Sequence, residues 1–236
     1  TRDVNVKVWG VTFDSNRGPD LGPDVAGGAI YMMGAKTLSV VNSTFRNNQA
    51  ANGGAIGVLH VASTITASTF ENNRAIGQLA NFANATDPNG APCPVFNHEG
   101  QGGAGGLGGA FYSDGFDEGD TFTDVRIANN TSNDLGGGVF RSAYWGMLSG
   151  VARQNITWTN TTLDGNTSPI GGGGGAYVNN SYFTLRNVVI NGNHAGAGDG
   201  GGLKITGATV DFADTQITNN ASTWGGGVAH WGVGPM

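Results

Sequence analysis

Short stretches in which apolar and polar residues alternate return at regular intervals along this chain, and such alternation predicts β-strands with one buried face. The clearest of these strands has an apolar residue at the same place in seven successive repeats. These residues are Val8, Val40, Ile65, Phe122, Trp158, Leu185 and Phe212. Two positions earlier the equivalent residues are apolar in five repeats, with Ser63 and Asp120 as the exceptions. Both positions are therefore expected to face a common core.

Each repeat continues with a second short apolar segment, which ends in an asparagine. These asparagines are Asn16, Asn48, Asn73, Asn130, Asn166, Asn193 and Asn220. Asparagine suits turns because it tolerates the left-handed backbone conformation and can hydrogen-bond its own backbone. Identical turns that stack on one another also allow the side-chain amides to form a ladder. The asparagine column is therefore interpreted as a structural turn ladder.

A glycine-rich triplet follows each asparagine and opens a further short strand. It occurs as GGAI at Gly27 and Gly53 and as GGAF at Gly108, and it becomes GGG in the later repeats. Such a triplet suits a tight corner that needs a positive φ or a close approach of stacked backbones. With roughly three short strands per repeat and a usual period of 25–28 residues, the chain is predicted to be all-β. The expected fold is a right-handed parallel β-helix (β-solenoid) of about seven coils.

The repeat covers the chain, so residues 1–236 are expected to form a single β-helix domain. This domain is expected to be a fragment of a longer surface protein or a repeat unit within one. The period is broken twice, by an insertion at about 77–106 and by a shorter excursion at about 144–154. Loops of this length are either functional or decorative, and the sequence leaves both possibilities open.

Charge and cysteine content exclude several classes of function. The formal net charge of −6 argues against nucleic acid as a partner, because a phosphate-binding face needs a basic patch. Cys93 is the only cysteine, so neither an intramolecular disulfide nor a thiolate metal site can form. No apolar stretch approaches the length of a membrane-spanning helix, and no transmembrane segment is expected.

One acidic, glycine-containing segment is a candidate metal site. Asp114, Asp117, Glu118 and Asp120 offer the oxygen ligands that Ca²⁺ prefers. Their spacing matches neither the EF-hand nor the calcium-binding nonapeptide repeat, so a solvated acidic turn is the alternative. Apart from this possible Ca²⁺, no cofactor is expected.

Aromatic residues occupy a column that alternation places on the outside of the glycine-initiated strands. Tyr31, Tyr112, Phe140 and Tyr177 lie directly after the inward-facing position. Aligned exposed aromatic residues form a patch suited to sugar stacking or to a protein contact. The column is therefore predicted to be a contact surface, with burial beneath the 77–106 insertion as the alternative.

The outward face of the first strand bears on two other functions. No two carboxylates are neighbours there, so an enzyme is not expected. The alternative is a carbohydrate-binding β-helix or a polysaccharide-degrading one, such as a lyase or hydrolase. Threonine triplets of the form TxT begin at Thr64, Thr121 and Thr157 and resemble the ice-binding face of β-solenoid antifreeze proteins. Threonine is also a common filler of exposed strand positions, so ice binding is a further alternative.

Glycosylation sequons are frequent in the chain, but several fall within the predicted turn ladders. Asn84, Asn155 and Asn179 are the plausible acceptors if the source organism glycosylates asparagine.

The paired motifs GGAI (27–30 and 53–56) and FxxN (13–16, 45–48 and 70–73) resemble the repeats of the chlamydial polymorphic outer-membrane proteins. Similar repeats occur in other bacterial and some algal β-helix surface proteins. The resemblance implies an extracellular or cell-surface domain that serves as an adhesin or as a structural, rod-forming module. Its implied partners are other copies of the protein joined end to end, or host and cell-surface glycans. The leading hypothesis is therefore a non-enzymatic surface β-helix.

Overall fold

The computed structural model describes residues 4–20, 26–77, 106–115, 119–143 and 154–232. These residues form 26 short strands, numbered β1 to β26 in chain order, and the pairings between them are parallel. The strands stack coil on coil into four sheets. The right-handed parallel β-helix of about seven coils that the repeat predicted is confirmed.

Sheet 1 holds the first strand of each coil and sheet 2 the segment that precedes the asparagine. Sheet 1 consists of β1 (Asn5–Trp9), β4 (Thr37–Val41), β8 (Ala62–Thr66), β12 (Asp120–Thr123), β16 (Gln154–Thr159), β20 (Ser181–Arg186) and β24 (Thr209–Ala213). Sheet 2 consists of β2 (Thr12–Asp14), β5 (Thr44–Arg46), β9 (Thr69–Glu71), β13 (Arg126–Ala128), β17 (Thr162–Asp164), β21 (Val189–Asn191) and β25 (Gln216–Thr218).

Sheet 3 follows the asparagine and sheet 4 follows the glycine corner. Sheet 3 consists of β6 (Gln49–Ala50), β10 (Arg74–Ala75), β14 (Thr131–Ser132), β18 (Thr167–Ser168) and β22 (His194–Ala195). Sheet 4 consists of β3 (Ile30–Met33), β7 (Ile56–Leu59), β11 (Phe111–Asp114), β15 (Val139–Ser142), β19 (Ala176–Asn179), β23 (Leu203–Thr206) and β26 (Val228–Trp231). Most coils thus have four strands rather than the expected three. The strands of sheet 3 were not predicted because two residues are too few to show alternation.

The lumen of the helix is filled by the predicted apolar columns. Val40 and Ile65 are fully buried, and Phe45 stacks on Phe70 with ring centroids 4.8 Å apart. That spacing is the distance between neighbouring strands, so each ring lies directly on the equivalent ring of the next coil. The columns are less buried in the end coils, where Val8 is half-buried and Phe212 is 41% exposed.

The asparagine column forms a continuous hydrogen-bonded ladder from Asn16 to Asn220. Within it, Asn130 is fully buried and donates from Nδ2 to Asn166 Oδ1 at 3.0 Å. Its own Oδ1 accepts from the backbone N and from Nδ2 of Asn73, both at 2.9 Å. The positive φ lies one residue earlier, at 54° for Asn129. The ladder asparagines thus connect coils, while the residues before them supply the left-handed turn.

The glycine corners meet both requirements that the sequence suggested, but with different glycines. Gly136 has a φ of +68°, and a Cβ there would lie 2.2 Å from the Val139 carbonyl oxygen. A Cβ on Gly137 would lie 2.1 Å from the carbonyl oxygen of Gly174 in the next coil. The first glycine is therefore required by the turn and the second by the contact between coils.

Candidate functional site

The threonine triplets lie side by side on the outer face of sheet 1. Register pairs Thr64 with Thr121 and Thr121 with Thr157, and the neighbouring row pairs Thr66 with Thr123 in the same way. These side chains are exposed or half-buried. The outer face of these three coils therefore carries two parallel rows of threonine.

The outer face of sheet 4 differs from the prediction. Tyr31 is 44% exposed, but Phe140 is fully buried and Tyr112 and Tyr177 are nearly so. The prediction that this column forms an exposed contact surface is therefore wrong for these three residues. Phe140 stacks between the other two rings at centroid distances of 5.3 and 5.2 Å.

A second apolar cluster, separate from the lumen, is the physical reason for this burial. Leu107 and Leu135, each of which directly precedes a glycine corner, pack in the same cluster as the three rings. Alternation shows that a side chain points away from the lumen, but it does not show whether other residues cover that side chain on the outer face. The aromatic stack is thus an outer core along sheet 4.

The outer core ends at a buried ion pair in the next coil. Lys204 follows Tyr177 in the strand register, and its Nζ lies 5.9 Å from the centroid of that ring. The same Nζ lies 2.9 Å from Asp199 Oδ1, with the two side chains only 7% and 10% exposed. Two opposite charges this close largely cancel one another's field, so the pair is a neutral but strongly polar unit.

Beside this pair the surface opens into a pocket of about 400 Å³. Its walls include the indoles of Trp224 and Trp231, which are 69% and 56% exposed. Trp231 Nε1 donates to Asp199 Oδ2, and this bond ties one wall to the ion pair. Ala197 and Gly198 complete the lining.

Sequence reasoning missed this pocket, although a signal was present. Register pairs Trp224 with Asp199 and Trp231 with Thr206, in columns that are not aromatic in the preceding coils. A search for positions where the last coil departs from its own column would have found both tryptophans.

In the acidic segment, the structure describes two of the four candidate ligands, Asp114, which is half-buried, and Asp120, which is buried. Asp120 is buried in the lumen, where its Oδ2 lies 2.9 Å from Arg141 Nε, and Asp114 accepts from Tyr112 at 3.4 Å. The other two candidate ligands, Asp117 and Glu118, lie outside the described residues. Among the residues that the structure describes, no three His, Cys, Asp or Glu side chains converge as a metal site would require.

Arg141 is a polar residue that the sequence pattern did not identify. It occupies a lumen-facing column of sheet 4, between Ser113 and Val178 of the neighbouring coils. Its side chain is 2% exposed, and Nη1 also donates to the carbonyl oxygen of Ser142. Asp120 is a charged residue in an otherwise mostly apolar column. It is accommodated there because Arg141, in the column that faces it, supplies the opposite charge.

The sequons have different surroundings. Asn155 is exposed on the outer side of β16, as an acceptor for a glycan must be. Asn179 is only 3% exposed at the end of β19, so the prediction of an accessible acceptor is wrong there. Asn84 lies outside the described residues.

These coils define the class of the protein as a right-handed parallel β-helix with an internal asparagine ladder and glycine corners. Among the described residues, no helix has the length and apolarity needed to cross a membrane.

Comparison with known families is in line with this class. Residues 42–58 match the repeat of the Chlamydia polymorphic membrane protein family. The matched stretch contains β5, the ladder residue Asn48, the corner at Gly53 and most of β7, which is one complete FxxN and GGAI unit. The resemblance inferred from these motifs is confirmed for this repeat. No curated protein and no solved structure matched the chain.

Proposed function

We propose that this β-helix is a non-enzymatic recognition module outside the cell, acting as an adhesin or as a structural rod that presents binding surfaces. The observation that carries the proposal is the match of residues 42–58 to a repeat of a membrane protein family. A stack of similar coils suits this role. Each coil of a solenoid contacts only the coils next to it, and the stack as a whole offers long, rigid outer faces. Residue changes on those faces leave the ladder and the corners intact.

The contacts of three outward carboxylates in the described coils support a non-enzymatic role. Asp14 lies 2.9 Å from Arg46 of the next coil, and Glu71 is paired with Arg126 in the same manner. Asp124 accepts from Asn160 Nδ2 at 2.9 Å, within a ladder of turn residues. Hydrolysis of a glycosidic bond needs two carboxylates that flank one substrate bond. Carboxylates that each bind an Arg or Asn of the neighbouring coil are instead used to join coils.

The test combines an adhesion assay with a turnover assay. Beads coated with the purified chain are expected to adhere to cell or glycan surfaces above beads coated with an unrelated β-helix. The same protein is expected to release no reducing ends or unsaturated products from neutral or uronic-acid polysaccharides. Adhesion no better than the control, together with polysaccharide turnover, would overturn the proposal in favour of the enzyme. Antibody labelling of intact source cells checks the location, and labelling only after permeabilisation would contradict it.

A second candidate function, ice binding, is favoured by the two in-register threonine rows on sheet 1. The measurement is thermal hysteresis of the purified chain, with the Thr121→Lys variant as the matched control. Hysteresis that disappears in this variant would support ice binding. Its absence in the wild type would dismiss it.

A further inference from the structure

We infer that the pocket between Trp224 and Trp231 binds a neutral pyranose sugar. This inference rests on the proposed function and names a ligand class for it. The first observation is the exposure of two indoles, at 69% and 56%, on walls of one pocket of about 400 Å³. This volume is within the range of ligand pockets, and exposed aromatic walls indicate a ligand with an apolar face.

The second observation is the polar unit at the side of the pocket. Asp199 and Lys204 are each nine-tenths or more buried, lie 2.9 Å apart and line the pocket together. They offer a carboxylate acceptor and an ammonium donor within one site, which is the pair of partners that vicinal hydroxyl groups need. Because the two charges neutralise one another, an ionic ligand gains little there, whereas a neutral polyhydroxyl ligand gains charge-assisted hydrogen bonds.

The third observation is that the polar unit is held in place before any ligand arrives. Tyr177 lies under the Lys204 ammonium, and Trp231 Nε1 donates to Asp199. Gly172 leaves the room that the pair occupies, since a Cβ there would lie 2.6 Å from Lys204 Cδ and 2.7 Å from Asp199 Oδ1. A preorganised site loses less entropy on binding than one that must order itself.

A pyranose fits both halves of this site. Its ring presents a C–H face that packs on an indole, and its edge presents hydroxyl groups to a donor and an acceptor. A purely apolar ligand would displace water from the ion pair and offer it no hydrogen bonds in exchange. A charged ligand would meet a like charge on either Asp199 or Lys204. The chemistry therefore favours an uncharged sugar over a lipid or an acidic glycan.

The experiment is binding of the purified chain to immobilised neutral gluco-, galacto- and manno-oligosaccharides, with uronic-acid oligosaccharides alongside. The best neutral probe is then titrated against variants by calorimetry. Trp224→Ala and Trp231→Ala are each expected to weaken binding at least 10-fold. Trp9→Ala is the matched control, since Trp9 is 80% exposed at the end of β1 and does not line the pocket, and its affinity is expected to change less than twofold. Circular dichroism melts check that all variants fold.

Trp231→Phe separates the two parts of the site, because it keeps an aromatic wall and removes the donor to Asp199. An intermediate loss of affinity is expected. The inference is overturned if the wild type binds no neutral oligosaccharide, if it prefers uronic acids, or if the Trp224→Ala and Trp231→Ala variants bind as the wild type does. If the coated beads still adhere to cells in any of these cases, the pocket assignment fails and the recognition role stands. If the beads adhere to nothing, the proposed function fails as well.

Discussion

The asparagine ladder makes a quantitative prediction at its most buried part. Replacing Asn130 by alanine removes the hydrogen bonds that its two amide hydrogens donate, one of them shared, to Asn166 Oδ1 and to the carbonyl oxygens of Phe70 and Ala128. It also removes the acceptor for the backbone N and the Nδ2 of Asn73. Because Asn130 and Asn73 are fully buried, water does not replace these partners without opening the stack.

The magnitude follows from the groups that lose a partner. A buried polar group left without its hydrogen bond costs about 1–3 kcal/mol. The Ala128 carbonyl still accepts from the backbone N of Asn72. The groups that count are therefore the amide of Asn73 and the carbonyl of Phe70, and the free energy of unfolding is expected to fall by about 2–6 kcal/mol. That is a large part of the total stability of a domain, which is about 5–15 kcal/mol.

The matched control is Asn16→Ala, the same substitution in the same column. Asn16 is exposed, and Asn48 Oδ1 keeps the backbone amide of residue 16 as a donor at 2.9 Å. For Asn16→Ala, the free energy of unfolding is expected to fall by no more than about 0.5 kcal/mol, as for other surface substitutions. Asn130→Asp keeps nearly the same volume, but an ionised aspartate cannot donate to Asn166 Oδ1 and adds a buried charge.

The assay is urea unfolding followed by far-ultraviolet circular dichroism, with midpoints compared at equal slope. Similar midpoints for Asn130→Ala and Asn16→Ala would refute the view that the ladder stabilises the stack. A wild-type midpoint for Asn130→Asp would show that the column needs only a side chain of that size.

The other predictions concern the corners, the lumen and the outer core, and each is checked by the same unfolding titration. Gly136→Ala is expected to destabilise the protein more than Gly10→Ala, because both have positive φ but only Gly136 also lacks room for a Cβ; equal losses would contradict the clash. Arg141→Met is expected to cost about 3–5 kcal/mol because it takes the guanidinium away from the buried Asp120 carboxylate. The double variant with Asp120→Leu is expected to regain most of this loss, and a double variant no better than the single one would refute the pair. Phe140→Ala is expected to cost about 3–5 kcal/mol as a buried ring between two others, whereas a loss under about 1 kcal/mol would indicate a surface residue.

The fold was predictable from the sequence because its causes repeat. An inward position is apolar in most coils, and the first glycine of a corner must accept a φ near that of Gly53 or Gly136. Seven repetitions of one constraint are visible in a single chain without any relative. Sheet 3 was missed because strands such as Gln49–Ala50 have only two residues and are set by the ladder turn beside them.

The candidate site was harder to predict because it depends on pairs of columns. Arg141 and Asp120 each look like an error in an apolar column, and only the fold shows that the two columns face each other across the lumen. The outer aromatic residues gave the opposite difficulty. Period-2 alternation correctly excluded Phe140 from the lumen, but a residue outside one core can be inside another.

The same reasoning explains why a binding pocket occurs where it does. Along the outer column of sheet 4, Tyr177 is followed by Lys204 and then by Ala229, so the aromatic stack gives way to a charge and then to a methyl group. None of these changes touches the lumen, the ladder or the glycine corner, so the coil geometry that fixes the fold is unaffected. The outer face of a solenoid can therefore change from a packed aromatic cluster to an open pocket from one coil to the next, without any change in the coil geometry. This is why we look to the departures of the outer columns from their own repeat, rather than to the repeat itself, for the proposed recognition site.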